Sequence, residues 1–107
     1  MALARSPDCT WTPLRPGVDE HRIYGGEKDT DPLASILRYA PGAQVPYHRH
    51  DGYEHVYVLA GSQRDSRGTH RAGALVVNAP GSRHDVVSDE GCIALLIWER
   101  AVVFVEP

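Results

Sequence analysis

At 107 residues and a net charge of −3, the chain has the length of one domain and lacks the basic excess of a nucleic-acid binder. Its 42% apolar and 23% charged residues are the balance of a soluble globular protein. The longest apolar run, residues 93–98, is too short to cross a bilayer as a helix, so no membrane partner is expected.

The first five residues, MALAR, lack the apolar segment of a secretion signal, and a cytoplasmic location is the expectation. Residues 1–10 show no periodicity and are expected to form a loose arm on a single domain spanning 1–107. The two cysteines, Cys9 and Cys92, make no CxxC pair and no disulfide framework. Cys9 is expected to be free and exposed, and Cys92, opening an apolar run, to be a small buried hydrophobe. Residues 11–17 are proline-rich and irregular. Trp11 has two readings, as a plug or partner contact and as a surface-packed aromatic.

Residues 18–24 read as a short strand and residues 25–32 as a polar turn. Residues 33–39 read as a strand ended by Pro41 and Gly42. The next strand covers residues 44–50, with Pro46 marking an edge or a bulge because proline cannot donate to the ladder. Residues 54–61 form the clearest strand, rich in Val and Tyr. Residues 65–68 turn a hairpin that returns over 69–71. Strands follow at 74–78, 84–87 and 92–99, and residues 101–106 close the chain. No sustained 3.6-residue periodicity appears, so the pattern is that of an all-β sandwich or barrel.

The chemistry gathers at His48, His50 and Glu54. Side chains on a strand alternate faces, so His48 and His50 share one. Residues 51–53 can turn the chain, so that Glu54 starts an antiparallel neighbour beside them. By the same parity Pro46, Val56, Val58 and Ala60 point inward, and Tyr47, His55, Tyr57 and Leu59 outward. His84 follows the turn at Pro80 and Gly81 and can project into a barrel mouth. Three imidazoles and one carboxylate suit a divalent transition metal ion (Fe, Mn, Ni or Zn) and leave coordination positions open. Arg38, Tyr39 and Tyr47 are the candidates for holding a substrate oxygen. His21, His55 and His70 read as solvated, and Trp98 as core.

The spacing Gly42, five residues, His48-x-His50, three residues, Glu54, six residues, Gly61 resembles the first motif of the cupin superfamily. Residues 73–84 resemble the second motif with departures: six residues separate Gly73 from Pro80, Pro80 and Gly81 are adjacent, and Ser88 replaces the closing Asn. Trp11-x-Pro13 before Gly17-Val18, the run 38–43, Pro80-Gly-Ser-x-His84 and Glu90-Gly-Cys92 make the chain most similar to the ChrR-type cupin-like group. The resemblance implies an all-β, single-domain double-stranded β-helix, the RmlC-like jelly roll, with one metal ion held by His48, His50, Glu54 and His84. It also implies a dioxygenase-like enzyme acting on a small organic molecule. The alternative is a non-catalytic metal- or ligand-binding sensor. ChrR-type anti-sigma factors carry a further helical zinc domain, for which this chain has no room, so a direct anti-sigma role is not expected. An outward stripe containing Tyr57 and Leu59 needs cover, and a homodimer would supply it.

Overall fold

The structure is a computed structural model and describes residues 10–105. Ten strands and no helix occur among them. They are β1 (Thr12–Arg15), β2 (Val18–Gly25), β3 (Leu33–Tyr39), β4 (Ala43–Arg49), β5 (Glu54–Asp65), β6 (Gly68–Arg71), β7 (Leu75–Asn78), β8 (Arg83–Ser88), β9 (Cys92–Trp98) and β10 (Val103–Phe104). The arm expected over residues 1–10 and the exposure expected of Cys9 fall, Thr10 apart, outside the described residues. The strand β1 occupies a stretch whose two prolines read as irregular; it is an edge, where missing donors cost nothing.

All pairings are antiparallel, in the order β1-β2-β3-β9-β5-β8-β4-β10, with β6 and β7 also on β5. The first half of β5 pairs with β9 and β7, and its second half with β6 and β8. One strand thereby joins two facing sheets into a jelly roll. The crossing lies at Gly61, which does not end the strand as its motif position suggests. Its φ is +72°, and a Cβ there would sit 2.0 Å from the Gly91 carbonyl oxygen. Only glycine fits so close an approach in that conformation.

The core between the sheets contains Val18, Leu37, Val56, Val58, Val76, Ala94 and Leu96, with Tyr39 and Cys92 buried among them. Alternation puts Val56 and Val58 inside and His55 and Tyr57 outside, as parity requires. Bulges in β5 and β4 break the pattern. One between Val58 and Ala60 makes Leu59 the extra residue and turns Ala60 outward, against the inward position expected. The other lies between Val45 and His48 and leaves Pro46 exposed rather than inward. The bulge lets Val45 and His48, an odd step apart, both line the interior.

Candidate metal centre

In β4 and β8, His48 and His84 are directly opposed, and Phe104 of β10 flanks His48 on the other side. His50 follows the end of β4. The three imidazole centroids lie 4.7 to 5.0 Å apart at steep interplanar angles, and their ligand nitrogens lie within 4.8 Å of one another. Glu54 does not stand on a strand beside β4, as the short turn at 51–53 suggests. It opens β5 in the facing sheet, between Asn78 and Trp98, and reaches the histidines from across the barrel. Its Oε1 lies 3.3 Å from His50 Nε2.

Each histidine is pinned through Nδ1. His48 Nδ1 lies 2.8 Å from the Pro46 carbonyl oxygen, and His50 Nδ1 lies 2.9 Å from Ser82 Oγ and 3.2 Å from the Ser82 carbonyl. His84 Nδ1 lies 3.0 Å from Asp65 Oδ2. Carbonyl and carboxylate oxygens only accept, so Nδ1 carries the proton in each ring and Nε2 keeps its lone pair. Among the described residues His50 Nε2 is buried and has no hydrogen-bond partner: with the proton on Nδ1, neither it nor the Glu54 carboxylate 3.3 Å away can donate to the other. A buried nitrogen with a free lone pair, beside two others prepared in the same way, fits a transition metal ion.

The electrostatics agree. Burial lowers the pKa of His48 and His84, which keeps both neutral near pH 7 despite the acceptors on Nδ1. For Glu54, burial acts to raise the pKa, but its polar neighbours, the Asn78 amide among them, outweigh it and the carboxyl stays lowered. Asn78 Nδ2 donates to Glu54 Oε1 at 2.7 Å, and Trp98 Nε1 donates to Oε2. Trp98 is therefore a wall of the site as well as part of the core.

Asp65 carries no ligand signature in the sequence, where it reads as a hairpin turn. Its carboxylate is buried and accepts from His84, His70 and Arg67. Burial would raise its pKa, but the hydrogen bonds from His70, Arg67 and His84 hold it down at about 2. Arg67 also donates to Asn78 Oδ1, so one chain of contacts ties His84 to Glu54 through Asp65, Arg67 and Asn78. His70 is thus part of this network, not a bystander.

A cavity lined by His48, His84 and Glu54 opens to solvent. Its walls are mainly apolar: Leu37, Val45, Val56, Val86, Leu96 and Phe104, with Tyr39 and Arg15 among them. Burial pushes the Tyr39 phenol well above its ordinary pKa, so it is a neutral hydroxyl there. Of the three candidates for a substrate oxygen, the structure brings only Tyr39 to this cavity. Arg38 is exposed, paired with Asp19 at 2.8 Å and stacked over Trp11, and Tyr47 is half-buried off the wall. Trp11 is accordingly a surface-packed aromatic.

The family model for the ChrR cupin-like domain matches residues 1–100. Among solved structures, an RmlC-like cupin protein from Ralstonia eutropha superposes with a TM-score of 0.82 at 23% identity, over 94% of this chain and 69% of that one. The anti-sigma ChrR, in complex with Rhodobacter sphaeroides SigE, is 28% identical with a TM-score of 0.77, over 91% of this chain and 54% of that one. An acetylacetone dioxygenase from Acinetobacter johnsonii is 14% identical with a TM-score of 0.81, over 90% of this chain and 72% of that one. No curated protein matches.

Proposed function

Because this chain belongs to the ChrR cupin-like domain family, we propose that it is a metal-dependent, dioxygenase-like cupin acting on a small organic molecule. His48, His50, Glu54 and His84 would hold the ion. The observation that carries this reading is the buried, partnerless Nε2 of His50, set among rings whose Nδ1 positions are already occupied. A bound iron, manganese, nickel or zinc ion would supply Lewis acidity toward substrate oxygens, and iron also redox chemistry with O₂. The chain's own groups do the rest. The apolar walls exclude water, Tyr39 would offer a neutral hydroxyl to a substrate oxygen, and Trp98 and Asn78 keep Glu54 oriented.

The test is elemental analysis of protein purified without chelator, then oxygen uptake with β-dicarbonyl substrates on the iron-loaded form. About one metal per chain in the wild type, lost in His50→Ala while the far-UV circular dichroism is kept, is the expected result. Full occupancy in that variant would sink the ligand assignment.

The family match and the likeness to ChrR favour a second reading, a sensor module that binds metal or ligand without turnover. Binding with no oxygen uptake in any metal form would select it. The proposal further takes residues 1–107 as one cupin unit that works as a cytoplasmic homodimer. The dimer is supported by an exposed apolar patch of Tyr57, Leu75, Val77 and Ile97 on adjacent strands of one sheet face.

A further inference from the structure

At the mouth of the cavity, Arg15 ends β1, the edge strand of one sheet, and Phe104 lies on β10, the edge strand of the other. The guanidinium carbon lies 4.7 Å from the Phe104 ring centroid, and that ring stands 5.8 Å from the His48 ring. One aromatic ring therefore separates the guanidinium from the candidate metal ligands. A bulge between Pro13 and Arg15 re-aims the end of the strand, and Leu14 and Arg15 both line the cavity.

Arg15 is poorly satisfied where it stands. Among the described residues its buried Nε has no hydrogen-bond partner and it forms no ion pair. The carboxylate in the same cavity, Glu54, already accepts from Asn78 and Trp98 through its two oxygens. The cation–π contact with Phe104 orients the guanidinium but accepts nothing from its in-plane N–H groups. An arginine that lines a mostly apolar cavity and whose buried Nε–H has no acceptor among the described residues offers a donor that a ligand can satisfy.

We propose that Arg15 is the specificity-determining residue of the cavity and that the ligand is a small organic acid, with an apolar body against the valine and leucine walls and a carboxylate on the guanidinium. The planar fork of N–H donors matches a carboxylate and discriminates against a neutral isostere. The charge balance points the same way. With a divalent ion bound, three neutral imidazoles, one carboxylate and one guanidinium leave two positive charges in mainly apolar surroundings, and an anion compensates them. This deepens the metal-site reading and rests on it for the charge balance, although the guanidinium itself is in place without a metal.

The test is calorimetric binding of 4-methylpentanoate and of its neutral isostere 4-methylpentanamide, to metal-free and zinc-loaded protein. Metal-free wild type is expected to prefer the acid by roughly tenfold. Arg15→Gln is expected to remove that preference, and Arg15→Lys to restore part of it. Equal preference in wild type and Arg15→Gln, or no acid binding to the metal-free wild type, overturns the proposal. A second reading needs no variant: the Arg15 Nε–H resonance of the wild type shifts downfield with the acid and stays in place with the amide. An unmoved resonance at saturating acid also overturns it. Zinc content is measured on the same samples. Wild type without zinc overturns the metal reading whatever Arg15 does, whereas normal zinc with no acid preference overturns only the role given to Arg15.

Discussion

A histidine is a ready ligand only when its free nitrogen is chosen in advance, and here Pro46, Ser82 and Asp65 make the choice. Asp65 is the one with a charge to remove. An asparagine there loses that charge and turns an NH₂ group toward His84, His70 or Arg67, all donors. Asp65→Asn is therefore expected to weaken zinc affinity about 10–100-fold with the fold kept, measured by competition with a chelating dye. Unchanged affinity would mean that His84 holds its orientation without help. Protonation acts on the same atoms. The folded pKa values of His48 and His84 lie below the ordinary 6.5. Between the folded and unfolded values the unfolded chain binds more protons, so stability falls as pH drops below about 6.5. The melting temperature of metal-free protein should therefore decline from pH 7 to pH 5. A flat profile would contradict the burial of these rings.

The element that matters most is β5. A straight, twelve-residue strand could serve one sheet only; the bulge after Val58 and the positive φ of Gly61 carry it into the second. The first half then presents Glu54 and the second half Asp65, so one strand supplies a candidate ligand and the orienter of another. Backbone crowding at Gly61 sets the expected cost of change. Gly61→Ala meets the Gly91 carbonyl and should destabilise by more than about 3 kcal/mol. Gly42→Ala, with φ +83° and nothing within 4 Å of the new carbon, should cost only the strain of its backbone, about 1–2 kcal/mol. Urea denaturation of the two variants compares them directly, and equal costs would place the crossing elsewhere.

For the molecule as a whole, the open question is what covers the outer face. Leu75 is 63% exposed beside Tyr57, and Val77 and Ile97 extend the patch. A charge at its centre cannot be buried without a partner. Leu75→Lys should therefore convert a dimer into single chains by light scattering at micromolar concentration, with metal content unchanged. A wild-type mass of one chain ends the dimer reading.

What the sequence determined by itself was local. Strand period, turn residues and the even spacing from His48 to His50 follow from neighbours on one strand, and they were enough for the all-β fold and for three histidines facing one interior. The position of Glu54 across the barrel and the outward turn of Ala60 and Pro46 depended on a sheet crossing and two bulges that composition does not encode. The supporting contacts were further out of reach. Asp65 meets His84 across 19 positions, Ser82 meets His50 across 32, and Trp98 meets Glu54 across 44. Arg15 and Phe104 stand at opposite ends of the chain. Such pairs exist only once the two sheets have closed on each other, because closure, and not any local preference, decides which distant side chains share the low-dielectric space between them.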